Sequence, residues 1–318
     1  MAKQTAIKAA INQGKKAAEQ AIQERQQTLK KAQKTRRAQR AKPAAAPAAT
    51  AVPAPLGAHA KFAATFGAAG TSGVLIAEGD SWFDYPRSDV LDLLEDEYGF
   101  DVEGVAHAGD TVEDMAHGGQ YVDLTRLFEK IARRGQVPRA ILLSGGGNDL
   151  AGDAFGLVLN HSNSAIRGVN ERVLAGVIDD RVYYAYATLI GGVSQLSLQV
   201  FGSKVPIVLH GYDYPVPDGR GFLGGFSFLP GPWLEPGFRV KGYDDMAERL
   251  KLMEDIIDRL NVMQKRLPNV AGFEHVTHAD LRGTLSNGPS YKKSWANELH
   301  PTQDGFRLVT KKIVALIP

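Results

Sequence analysis

Five short segments are rich in apolar residues and end at turn-forming positions: 74–78, about 102–106, 140–144, 206–210 and about 273–277. Short apolar runs bounded by Gly, Asp, Ser or Asn predict buried strands. The intervening stretches predict helices. One spans Val90–Glu97, with Ser88-Asp89 as its N-cap, and another Val122–Arg134. Residues 165–201 are mostly helical in pattern, Asp244–Lys265 is amphipathic, and a last helix follows Asp304. Strands alternating with helices predict a parallel sheet covered on both faces, an α/β fold of three layers.

The segments on either side of this pattern differ from it. Residues 1–42 are rich in Ala, Gln, Lys and Arg, which favour helix. Their apolar positions (Ile7, Ala10, Ile11, Ala18, Ile22, Leu29) are sparse. That thin stripe predicts a solvated, partly helical tail rather than a helix packed on a core. Residues 43–69 form a Pro/Ala-rich linker, and the folded domain occupies 70–318. Within it, residues 216–243 carry Phe222, Phe226, Phe228, Trp233 and Phe238 among many Gly and Pro. A long loop of this composition predicts a lid or specificity loop.

Charge sharpens the division. The chain of 318 residues has a net charge of +2, but its first 42 residues hold 12 of the 37 basic residues and only 2 of the 35 acidic ones. A basic tail thus precedes an acidic body, and an anionic membrane or a nucleic acid is the partner such a tail would meet. It has no interleaved aromatics for base stacking. There is no cysteine, which excludes disulfides, thiolate metal sites and a cysteine nucleophile. Neither a secretory signal core nor a membrane-length apolar run is evident, so a cytoplasmic location is expected.

Four positions at strand ends or in loops are of the types that acyl transfer needs. Ser81 follows the first strand in Gly79-Asp80-Ser81, and Gly109 follows the second. Asn148 follows the third in Gly145-Gly146-Gly147-Asn148-Asp149, and His300 lies in the loop before the last helix. In a parallel sheet such positions converge on one edge. A serine hydroxyl needs a base, here His300. The oxyanion needs donors already in place, here the Ser81 and Gly109 N–H groups and the Asn148 amide. Asp80 and Asp149 read as turn or cap residues.

The order Gly-Asp-Ser, Gly109, Gly-Gly-Asn-Asp and a C-terminal His-Pro-Thr resembles the SGNH (GDSL-type) hydrolase family over residues 70–318. The resemblance implies a flavodoxin-like α/β/α sandwich with a five-stranded parallel sheet. It implies a serine esterase or lipase that cleaves a carboxylic ester of a lipid, an acetylated sugar or a small acyl group, with no cofactor and no metal. Ser81 matches the nucleophile and first oxyanion donor, Gly109 and Asn148 the other donors, and His300 the base. One position departs: the family has Asp three residues before the His, and here that residue is Asn297. An amide can accept from His300 Nδ1–H without offering charge, or donate and hold the wrong tautomer. Glu298 or Asp280 could replace the carboxylate, or a backbone carbonyl could orient the ring.

Two other readings compete. A metal-dependent phosphoesterase would need several Asp/His ligands around two metals, and the motifs for it are missing. A catalytically weak interaction module, with the basic tail as its active part, draws support from Asn297. His275, His278 and Asp280 have a spacing that hints at metal, but no third strong ligand lies near. His107, His117, His210, Tyr212, Tyr214, Trp82 and Phe83 are weaker pocket candidates, for which packing is the commoner role.

Overall fold

The computed structural model describes residues 2–40, 71–86, 88–224 and 229–318. The linker 43–69, Phe226 and Phe228 lie outside the described residues. The first element is α1, Ala2–Arg40, a single helix without interruption. It is followed by β1 (Val74–Glu78), α2 (Val90–Asp96) and β2 (Asp101–Gly104). Next come α3 (Val112–His117), α4 (Gln120–Arg133) and β3 (Ala140–Ser144).

The third crossover is longer. A small antiparallel hairpin pairs Leu159–Asn160 with Gly168–Val169. Then α5 (Glu171–Ala175), a π-helical stretch (Gly176–Val182) and α6 (Tyr183–Phe201) follow without a break. The chain ends with β4 (Ile207–His210), α7 (Glu235–Val240), α8 (Met246–Gln264), β5 (Val276–Ala279) and α9 (Gln303–Val314).

The five long strands form one sheet in the order β2-β1-β3-β4-β5, every pair parallel. This is the flavodoxin-like order of doubly wound sheets. β1, β3 and β4 are buried along their whole length, as apolar central strands of such a sheet must be. α2 packs with α9, while α3 and α4 pack with α6. Gln264 of α8 donates to the Tyr186 hydroxyl of α6 (3.1 Å), joining α8 to that second layer.

Local chemistry starts the helices where the sequence marks them. Asp89 caps α2 by accepting from Leu91 and Asp92 N–H, and Thr111 caps α3 in a capping box with Asp114. Asp245 and Thr302 cap α8 and α9. No described helix is long and apolar enough to cross a membrane.

The N-terminal segment differs from the sequence expectation. α1 is helical throughout, and its first half packs on α6 and α4. Ile7, Ala10, Ile11, Ala18 and Ala21 are buried there. The stripe is thin because the approach is close. A Cβ on Gly14 would lie 1.8 Å from the Thr188 carbonyl oxygen, and one on Gly191 would lie 2.8 Å from the Ile11 carbonyl oxygen. Small residues let two helix backbones meet, so few large side chains are needed. Burying Ile7 and Ile11 alone contributes about 3–5 kcal/mol. From Lys30 to Arg36 the helix is exposed, and Lys30, Lys31, Lys34 and Arg36 lie on that part.

The described parts of residues 216–243 hold more regular structure than their composition predicts. They contain a 3₁₀ turn (Phe222–Gly224) and α7. Phe238 is fully buried against Phe155 and Tyr243, so it belongs to the core and not to a lid surface.

Candidate active site

Ser81 sits in the tight turn that follows β1. Asp80, itself buried, builds that turn. Its Oδ1 accepts from Trp82 N–H (3.1 Å) and from the Ser144 hydroxyl (2.7 Å), and its Oδ2 accepts from the Tyr212 hydroxyl. Three strand ends, those of β1, β3 and β4, are thus tied to one carboxylate. Gly79 lets β1 approach β3 closely, since a Cβ there would lie 2.6 Å from that of Ser144. Space, not a left-handed turn, is what makes glycine necessary. The preceding Glu78 is fully buried, with one oxygen accepting from Gly79 N–H (3.0 Å). Burial, and then the nearby Asp110, push its pKa up to about 8.

His300 comes from the loop before α9 and points its Nε2 at Ser81 Oγ, 2.7 Å away. Trp82 ties the two turns together by donating its indole N–H to Leu299 O (3.1 Å). On the other side of the ring, His300 Nδ1 lies 3.0 Å from Asn297 Oδ1. That same oxygen accepts from Leu299 N–H and His300 N–H, each at 2.9 Å, while Asn297 Nδ2 donates to the Tyr85 hydroxyl (3.2 Å).

Two backbone donors can only face an oxygen, so the amide has one orientation. Nδ1 must then carry the proton, and the Nε2 lone pair faces Ser81. The tautomer question raised by an amide at position 297 is answered by these two N–H groups. Neither Glu298, Asp280 nor a backbone carbonyl orients the ring. Asp280 is bound to Arg282 (2.9 Å), and Glu298 serves another loop.

Tyr85 stacks on His300, with ring centroids 4.3 Å apart and planes 20° from parallel, and Trp233 meets it edge-on at 5.5 Å. His300 is only 6 % exposed. Burial is the one cause that lowers its pKa, to about 3. A neutral amide supplies no opposing charge.

The three expected donors border the same cleft. Gly109 has φ +97°, open to glycine alone without strain, and a Cβ there would meet nothing within 4 Å. Asp84 steadies this loop by accepting from Ala108 N–H (2.9 Å). Among the described residues, the Ser81 and Gly109 N–H groups donate to no protein acceptor. Asn148 gives one amide hydrogen to Asp110 O (3.0 Å), which leaves the second for a ligand. Asp149 accepts from Val112 N–H at the start of α3 (3.0 Å), locking the Asn148 and Gly109 loops together. Burial pushes its pKa up to about 6.

Ser81, Gly109, Asn148 and His300 line one cleft of about 400 Å³, together with Tyr85, Phe222 and Trp233. The Trp233 loop is held by Glu298, whose carboxylate accepts four backbone N–H groups: Gly219 (3.0 Å), Trp233 (2.6 Å), Leu234 (2.8 Å) and Glu235 (3.0 Å). Two of the weighed lid aromatics, Phe222 and Trp233, therefore do reach the cleft.

The other candidates lie outside this cleft. Trp82 and Tyr212 do border a second, smaller cavity beside Ser81, while His210 packs on Trp82 and Phe83 and Tyr214 donates to Asp258 (2.7 Å). His275 pairs with the Ser194 hydroxyl (2.8 Å). His107 and His117 lie at the surface. Tyr85 is the site residue that sequence reasoning passed over; its only signal was its place four residues after Ser81.

Fold and geometry define an α/β protein with a Ser–His–Asn arrangement at the sheet edge. No family model matches the chain, and no curated protein is similar to it. Solved structures similar to it include a lipase from a goat rumen metagenome, with 12% identity, 77% of this chain and 97% of the other covered, and a TM-score of 0.47. They include a catalytic mutant of an acetylxylan esterase from Geobacillus stearothermophilus, with 15% identity, 78% and 95% covered, and a TM-score of 0.37. A candidate SGNH hydrolase from Slackia heliotrinireducens has 13% identity, 77% and 99% covered, and a TM-score of 0.38. The chemistry is carried by the distances in this chain rather than by these likenesses.

Proposed function

We propose that this protein is a serine esterase that cleaves a carboxylic ester through an acyl-enzyme on Ser81. One observation carries the reading: Ser81 Oγ, His300 Nε2, His300 Nδ1 and Asn297 Oδ1 lie in series at 2.7 and 3.0 Å. In the forward step Ser81 Oγ attacks the ester carbon, and its proton passes to His300 Nε2. The carbonyl oxygen becomes an oxyanion held by the Ser81 and Gly109 N–H groups and the Asn148 amide. Collapse breaks the bond to the alcohol, which leaves with the proton from Nε2. Water then repeats the sequence with His300 as base and frees the acid. Asn297 orients His300 without charge, so the imidazolium formed in each step is less stabilised than beside a carboxylate. A modest turnover is the expected consequence.

A fluorophosphonate probe tests this directly. The full chain is labelled, Ser81→Ala is not, and equal labelling of both overturns the assignment. Asn148→Ala should lower kcat by about 10²–10³, the usual effect of removing one oxyanion donor.

A second reading concerns α1 and is favoured by its free, basic end at Lys30, Lys31, Lys34 and Arg36. We propose that this end contacts an anionic surface, a phospholipid membrane or a nucleic acid. Binding to anionic vesicles or to nucleic acid that weakens with salt, and that disappears on changing these four residues to Gln, supports it. Binding unaffected by those changes rejects it.

A further inference from the structure

A second, smaller cavity also reaches Ser81 and Asn148. It holds about 50 Å³, against about 400 Å³ for the cleft. Its inner wall is apolar, formed by Phe155 and by Met253, Ile257 and Leu260 on one face of α8. The two carboxylates on its border are already engaged. Asp80 accepts from Ser144, Tyr212 and Trp82, and Asp213 accepts the N–H groups of Tyr214, Gly283 and Leu285. An apolar group is therefore what this space can take.

We infer that this cavity is the acyl subsite and that it selects acyl groups of two to four carbons. The inference rests on Ser81 being the nucleophile. An ester carbon at Ser81 carries an acyl chain and an alcohol oxygen. The alcohol must leave near His300 Nε2, which protonates it. His300 lines the large cleft and not the small cavity. The alcohol therefore occupies the cleft, and the acyl chain enters the cavity beside Asn148.

Size sets the length. A dry apolar cavity of about 150 Å³ holds benzene, so about 50 Å³ corresponds to about two carbons beyond the carbonyl. The wall does not readily yield. α8 is pinned by Asn261 donating to Tyr212 O (3.1 Å) and by Gln264 donating to His210 O (3.2 Å). Leu260 lies beneath the glycine loop, where a Cβ on Gly146 would come within 3.1 Å of it. Met253, two helical turns away, lies about 10 Å further along α8.

The test uses the full chain with p-nitrophenyl esters from acetate to dodecanoate. kcat/KM is expected to peak between acetate and butyrate and to fall roughly tenfold or more by octanoate. Met253→Ala should move the peak to longer chains by two or more carbons. Ile257→Phe should lower the butyrate-to-acetate ratio roughly tenfold. A wild-type peak at hexanoate or beyond overturns the inference, as do two folded variants that keep the wild-type profile. If no ester is turned over, the serine-esterase reading falls, and the cavity is judged by calorimetry with acetate through octanoate. Affinity that rises to butyrate and then stops supports it; a continued rise, or no binding, overturns it.

Discussion

Asn297 and Glu298 follow one another in the loop before α9, yet they hold different parts of the cleft wall by different means. Asn297 gives one neutral oxygen to His300 and to two backbone N–H groups. Glu298 gives both carboxylate oxygens to four backbone N–H groups of the Gly219 and Trp233 segments. The carboxylate is placed where four donors must be satisfied in a static scaffold. The amide is placed where the His300 ring needs direction. Orientation and charge stabilisation are therefore separable tasks, and at His300 only the first is performed.

The largest expected effect comes from restoring charge there. Asn297→Asp keeps every acceptor contact of Oδ1 and adds a carboxylate beside the imidazolium. The opposite change in the serine-protease template costs about 10⁴ in turnover. A rise of tenfold or more in kcat, read with a short-chain ester, sharpens the comparison. An unchanged rate breaks it, because charge would then not be what His300 lacks.

Removing charge from the neighbour acts on stability instead. Glu298→Gln leaves part of the N–H cluster without an acceptor and turns new donors toward it. Leaving a buried donor of such a set unsatisfied costs about 1–3 kcal/mol. Denaturant unfolding measures it, and a change under about 1 kcal/mol means that water replaces the carboxylate.

The pH dependence separates the two roles again. His275 and His278 are partly buried, and burial lowers each pKa from 6.5 to about 4. Between these values the unfolded chain binds protons that the folded chain does not. The contribution of this pair to stability therefore falls as pH drops from 6.5 toward 4, by roughly 3 kcal/mol after allowing for partial exposure, while Glu78 and Asp149, whose raised pKa values let the folded chain keep protons that the unfolded chain loses, act in the opposite direction. His300, near 3, stays neutral through this window. Turnover per folded molecule is expected to show no His300 limb down to pH 5 while the contribution of the histidine pair to stability declines. An activity limb near pH 6.5 with the fold intact contradicts this, and Asn297→Asp should create such a limb by raising the His300 pKa.

The smallest effect belongs to Tyr85. Tyr85→Phe removes the acceptor of Asn297 Nδ2 and keeps the ring stacked on His300. A loss of about 1 kcal/mol, several-fold in kcat, is expected. A loss above a hundredfold gives the hydroxyl a role in the chemistry itself.

Much of this was legible in the sequence. The strands at 74–78 and 140–144 match to the residue, because short apolar runs ending in glycine leave little choice. The second and fifth strands, Asp101–Gly104 and Val276–Ala279, were displaced by one to three residues, since polar residues break their pattern. The four chemical blocks could be placed because strand ends of a parallel sheet share one edge. The docking of α1 was missed. Its seam is built from Gly14, Ala10 and Ala18, and hydrophobic periodicity undervalues residues whose contribution is close approach. Phe238 was read as a loop aromatic because composition cannot distinguish a lid from a short helix that buries one ring.

The sequence by itself determined the alternation of strands and helices, the cap at Asp89, and the order of Ser81, Gly109, Asn148 and His300. These depend on neighbours within a few residues, or on rules for connecting parallel strands. Only the tertiary structure decided what Asn297 does, which ring covers His300 and how deep the space beside Ser81 runs. Asn297 and Tyr85 meet across 212 positions of chain, and Ser81 and His300 across 219. An amide's direction, a ring's stacking and a cavity's volume are each set by groups that the fold alone brings together.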